Sequence, residues 1–212
     1  MASRKRKQLQ RMFDYRRLIS PFVKQRTRAV VNPFVQQKPK KEGPVETKIN
    51  IYDYNNASIQ SLTVENIEQC FTYIDKASIT WINMDGINKN ELEKISTKFG
   101  IHPLIQEDIL SYGQRPKMDE LDSIMYVLLN MLYYNEATTG VEQEQISIIL
   151  GNKFIISFQE DASRDVFDPI RDKLKISNHK IRLRGADYLF YSLIDIIAVS
   201  YTHLTLPTIC SV

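Results

Sequence analysis

The stretch SIMYVLLNMLYYNEATTGVEQEQISIILGNKFIISFQ, residues 123–159, decides the fold class. Its segments 123–134 and 145–150 are crowded with β-branched and aromatic side chains, which suit a pleated surface. Between them, 135–140 holds the polar residues and glycine of a turn, and 153–159 supplies another strand. Three strands in succession with short connections predict an antiparallel meander. The apolar run 124–134, broken by Asn130, is too short for a membrane helix, which needs about 20 apolar residues. The run 188–201, broken by Asp195, is too short for the same reason.

Outward from this meander the chain alternates. Residues 48–54 (KINIYDY) place Ile49 and Ile51 at period two, so they predict a half-buried strand. Thr63 is positioned to cap a helix with Ile67, Phe71 and Ile74 on one face. Residues 78–83 predict a short strand around Trp81. A helix over 88–99 lines up Leu92, Ile95 and Phe99, with Gly100 free to take the left-handed conformation that ends it. A second, short helix over 102–110 carries Pro103 in its first turn, where a missing N–H costs nothing. Residues 164–176, with Val166, Ile170 and Leu174 inward, and 183–200 predict the closing helices. Helices bracketing a sheet make this an α/β chain. The expected fold is an αβα layered domain with a mixed, largely antiparallel sheet, ending in a long helix.

Charge divides the chain more sharply than its net +3 suggests. Residues 1–44 hold 13 Lys and Arg and two acids, a net of +11, so the remainder carries a net of −8. The KPKKEGP stretch at 38–44 is a natural boundary, which divides the chain into a mobile basic arm, 1–44, and a body, 45–201. Cys70 and Cys210 form no CxxC or ladder and read as unpaired thiols of a reducing compartment. The arm has no apolar segment of the secretory kind.

Several catalytic devices are absent from the sequence: there is no Gly-rich phosphate cradle, GxSxG, HExxH or CxxC. Three scattered histidines, His102, His179 and His203, do not make a zinc cluster. The acids are more informative. Glu107 and Asp108 are adjacent near the end of the short helix, and Asp119 and Glu120 follow a QRPK turn at 114–117. By pattern alone they read first as a solvated surface. Asp195 interrupts the apolar run SLIDIIA, and at helical spacing Asp187, Tyr191 and Asp195 share one stripe. Such a stripe suits water, a neighbouring chain or a cation. Carboxylates without histidine or thiolate select hard cations such as magnesium or calcium.

Seven motifs then occur in one order: TWINMDG (80–86), FGIHPLIQEDIL (99–110), QRPK (114–117), EQISIIL (144–150), FQE (158–160), VFDPIR (166–171) and RGADYLFYSLID (184–195). Together they resemble the cytosolic domain of the CorA magnesium/cobalt transporters over roughly residues 48–201. The resemblance implies a homopentameric channel whose cytosolic αβα domain leads into a long stalk helix and two membrane helices, the first closed by Gly-Met-Asn. It implies localisation to the cell (inner) membrane, with this domain on the cytoplasmic side. Magnesium held between subunits would keep the pore closed, and cobalt would be a further transported ion. It implies that Asp108 faces a carboxylate of the adjacent subunit's stalk across a magnesium. Glu107 and Asp195 match a second inter-subunit site.

The chain departs from that pattern in two places. It contains no Gly-Met-Asn and neither membrane helix, so these residues are expected to form the sensor without the pore. After Tyr201 the tail THLTLPTICSV (202–212) loses the helical pattern and reads as foreign to the family. A rival expectation is a soluble nucleic-acid-binding or regulatory module led by the basic arm, with salt-dependent binding; no stacking motif or recognition helix supports it. A metal-dependent hydrolase lacks a nucleophile and base.

Overall fold

In a computed structural model, which describes residues 35–36, 47–74, 76–135 and 140–205, eight strands join one mixed sheet. They are β1 (Val35–Gln36), β2 (Lys48–Tyr54), β3 (Ile59–Val64), β4 (Ile79–Asp85), β5 (Lys117–Leu121), β6 (Ile124–Asn135), β7 (Gly140–Leu150) and β8 (Phe154–Gln159). The order across the sheet is β3-β2-β4-β8-β7-β6-β5, with β1 beside β7. β4 and β8 run parallel in the middle, β1 pairs β7 in parallel, and every other pairing is antiparallel. The meander forms as expected.

Alternation along the central strands sends apolar side chains to both faces. Ile49 and Ile51 of β2, Ile82 and Met84 of β4, and Ile156 and Phe158 of β8 meet one helical layer. That layer holds a 3-10 turn (Ile67–Tyr73), α1 (Lys89–Phe99) and α2 (Pro103–Leu110). Tyr52, Trp81, Ile148 and Ile155 point the other way. There they meet α3 (Asp168–Lys175), α4 (Lys180–Leu183) and α5 (Ala186–Thr205). A sheet covered on both faces buries its central strands fully, which is why they read as near-continuous apolar runs. α1 is capped by Asn88 and ends on Gly100 at φ 68°, as its sequence requires.

Several boundaries are corrected. Thr63 caps nothing: it lies in β3, an unforeseen edge strand, and its hydroxyl donates to Asn50 Oδ1 at 2.9 Å. The following turn is capped by Asn66 and winds three residues per turn, so Ile67, Cys70 and Tyr73 are its buried positions. The helix expected from Arg164 begins at Asp168, after a 3-10 turn (Ala162–Arg164). The helical pattern does not stop at Tyr201, because α5 continues to Thr205. Two residues of the expected arm, Val35 and Gln36, add a strand to the sheet beside β7. The boundary at 44/45, residues 1–34 and Cys210 lie outside the described residues. Among the described residues no helix is long and apolar enough to cross a membrane. Cys70 is a free, buried thiol, and burial pushes its pKa up to about 12.

The carboxyl ends of β4 and β8 carry a buried polar network. Trp81 Nε1 donates to Ser157 Oγ at 2.9 Å, and that hydroxyl donates to Asn83 Oδ1 at 2.7 Å. Asn83 Nδ2 and Gln159 Nε2 each donate to Asp85 Oδ1 at 2.9 Å. Burial outweighs these hydrogen bonds and holds the Asp85 carboxyl above the usual carboxylate range. The folded chain therefore keeps this proton to higher pH than the unfolded chain. Stability falls as pH rises from the unfolded to the folded pKa and stays lower above it. Asp85→Asn keeps the Oδ1 acceptor and removes the charge. We expect it to be more stable than the parent at neutral pH, with the difference shrinking toward acid, as urea midpoints across that range would record.

Candidate metal site

The acids near the end of α2 are placed by its apolar face. His102 Nδ1 accepts from Leu104 N–H at 3.2 Å and Pro103 takes the first turn, so the helix starts where the sequence puts it. Ile105 and Ile109 are buried against the sheet. With those two inward, Glu107 is exposed and Asp108 lies half-buried on the flank. Asp108 Oδ2 is ion-paired with Lys117 Nζ, from the first residue of the edge strand β5. The same ammonium is 3.8 Å from Asp119 Oδ2.

Two buried amides hold this corner together. Asn130 of β6 and Gln145 of β7 sit opposite each other in register. Gln145 Nε2 donates to the carbonyls of Asp108 at 3.2 Å and Ile109 at 3.4 Å, at the end of α2 where the helix itself leaves carbonyls short of donors. Asn130 Nδ2 donates to Gln114 O at 3.0 Å, in the turn that delivers Lys117. Ser111 closes the helix, its Oγ donating to Glu107 O at 2.7 Å and its N–H to Asp108 O at 3.2 Å.

Asp195 lies elsewhere. On α5, Leu189, Leu193 and Ile197 are buried against the opposite face of the sheet. The expected stripe of Asp187, Tyr191 and Asp195 is exposed. Within one chain, therefore, Glu107 and Asp108 belong to one helical layer and Asp195 to the other, and the fold does not bring them together.

Magnesium retains several waters and is commonly bound through one or two carboxylates. Among the described residues no group of three His, Cys, Asp or Glu converges on a point. A single half-buried carboxylate per chain fits a hydrated ion shared with another molecule, and does not fit an all-protein cage. Sequence reasoning assigned no role to Lys117 or Gln145, although both fall inside quoted motifs. The available signal was Asn130 inside an apolar strand, since a buried amide demands partners.

The family model described as "CorA-like Mg2+ transporter protein" matches residues 76–206, a span that includes Glu107, Asp108 and Asp195. A curated relative, the "Cobalt/magnesium transport protein CorA" of Thermotoga maritima, is 35% identical over 155 residues, covering 73% of this chain and 44% of the relative. The "Putative metal ion transporter YfjQ" of Bacillus subtilis is 24% identical over 143 residues, covering 68% of this chain and 41% of its own. The chain thus spans less than half the length of these curated relatives. In fold it is similar to the soluble domain of CorA from Methanocaldococcus jannaschii, with a TM-score of 0.54 at 17% identity over 74% of this chain and 59% of that one. With the motifs, the layered sheet and a model match over more than half its length agreeing, the chain belongs to the CorA-like magnesium transporter family.

Proposed function

We propose that the chain is the cytosolic magnesium-sensing and gating domain of a CorA-type divalent cation transporter. In this reading it works as a homopentamer, with pore helices supplied outside these 212 residues. Regulatory magnesium sits between subunits. Asp108 is the main sensor ligand, with Glu107 and Asp195 in a second site, and magnesium or cobalt is the transported ion. The reading is carried by the family match over 76–206, which contains all three acids. Their placement supports it: each is partly or fully exposed, and on the two layers they are able to meet acids of neighbouring copies rather than each other. With magnesium bound, facing carboxylates are bridged. Without it they repel, which biases a two-state assembly toward opening.

In the complete transporter, Asp108→Ala is expected to raise the magnesium concentration for half-maximal protection from proteolysis by roughly tenfold or more, since disturbing even outer-shell partners of a metal commonly costs that much. Glu107→Ala and Asp195→Ala should act more weakly. Protection that is indifferent to Asp108→Ala would remove the site assignment and leave the family untouched. Mass by light scattering with and without millimolar magnesium tests the assembly directly.

A further inference from the structure

We propose that Lys117 is a built-in counter-cation of the Asp108 site. It holds the carboxylate while no divalent ion is bound, and a divalent ion must displace it to bind. This rests on the reading of Asp108 as a cation ligand.

The geometry leads to it. Lys117 Nζ pairs with Asp108 Oδ2 and lies within 3.8 Å of Asp119 Oδ2, so it already occupies the place where a cation would neutralise two carboxylates. The side chains of Lys117 and Asp108 are 32% and 19% exposed, so water screens the pair only in part. Both sides are anchored to the sheet by hydrogen bonds: Gln145 holds the end of α2, and Asn130 holds the turn before β5. An ammonium and a divalent ion cannot both touch one carboxylate without strong like-charge repulsion. Binding at Asp108 is therefore an exchange, in which the ion replaces one positive charge by two and releases Lys117 to solvent from the sheet edge.

Exchange has a thermodynamic consequence that a purely structural clamp does not. Whatever the ion pair contributes is subtracted from cation affinity, which keeps the site weak. Partly exposed pairs contribute amounts that correspond to about two- to fivefold in affinity. Removing the ammonium should therefore tighten the site by about that factor. If Lys117 served only to fix α2, its removal would loosen the site.

The test uses the complete transporter, with magnesium chloride as the probe at constant ionic strength. Protection is read against chymotrypsin, which does not cut at lysine. Lys117→Met is expected to lower the magnesium concentration for half-protection about two- to fivefold, while Lys117→Arg, which keeps the charge, stays near the parent. In the unmutated protein, acetylation of Lys117 by an N-hydroxysuccinimide ester, followed by mass spectrometry, should accelerate several-fold when magnesium is added. A raised magnesium requirement in Lys117→Met, or labelling of Lys117 that ignores magnesium, overturns the proposal. If Asp108→Ala weakens protection while those two readouts do not move, the cation site stands and only the role of Lys117 falls. If Asp108→Ala changes nothing, the cation reading fails and the exchange falls with it.

Discussion

Replacing Trp81 by alanine should cost about 3–5 kcal/mol, the usual range for truncating a buried aromatic side chain. Trp81 is fully buried on β4, at the centre of the sheet. Its ring stacks on Tyr52 at 4.9 Å between centroids and meets the edge of Phe167 at 5.8 Å. It therefore joins β2, β4 and the start of α3, and its loss opens a cavity between the sheet and the helical layer that carries Asp195. The hydrogen bond to Ser157 is the lesser term, because that hydroxyl keeps Asn83 as a partner. Against a typical total of about 5–15 kcal/mol, a loss of this size leaves the domain marginal. Urea denaturation of the 212-residue chain checks it. A drop below about 1 kcal/mol would mean that the layer recloses around the gap.

Arg171→Met is expected to be nearly as damaging. The guanidinium is buried with Asp165 on one side and the exposed Asp168 on the other, and it lies over the rings of Tyr52 and Trp81 at 5.8 Å and 5.6 Å. Burial by itself would lower its pKa, but the hydrogen bond and charge of Asp165 outweigh that and hold it above the ordinary arginine value. Taking away the arginine leaves Asp165 poorly hydrated and uncompensated, a situation that costs about 3–5 kcal/mol in buried pairs. Asp168, with its side chain 81% exposed, loses little. The double variant Asp165→Leu with Arg171→Met should recover a large part of the loss, because it removes both charges. Denaturation midpoints of the two single variants and the double one measure that coupling. Additive losses would show that the pair is not the source of the effect.

The elements that the sequence makes legible are those that commit their apolar side chains to the core. α1 and α2 keep apolar side chains at helical period, with Asn88, Gly100 and Pro103 as signals at their ends, while β2 shows Ile49 and Ile51 at period two and β8, buried on both faces, reads as an apolar run. β3 and β5 give no such signal. Both are edges, and most of their side chains, including Ser61, Asp119 and Glu120, face water, so period two leaves no trace in hydropathy. The first half of β7 is hidden for the opposite reason. Glu142 and Glu144 look like surface acids but are buried. Glu142 pairs with Arg164, and Glu144 accepts from Tyr133 Oη at 2.7 Å and from the N–H groups of Glu160 and Asp161. Burial outweighs these donors, which favour the charged form, and holds the Glu144 carboxyl above its ordinary range.

The same division governs the site. By itself the sequence determined the fold class, the family and the positions of Glu107, Asp108 and Asp195, because ordered motifs and helical spacing are properties of the chain read in line. Only the tertiary structure decided what each acid meets. Asp108 and Lys117 are nine residues apart with a helix end and a turn between them. Asp195 is carried to the far side of the sheet. Which charges share a corner is set by how helices pack on strands, and no spacing along the chain encodes it. The net −8 of the body is therefore a sum over acids in different circumstances: some buried with partners of their own, others, Asp108 among them, paired with lysines, and others left facing outward on two separate layers.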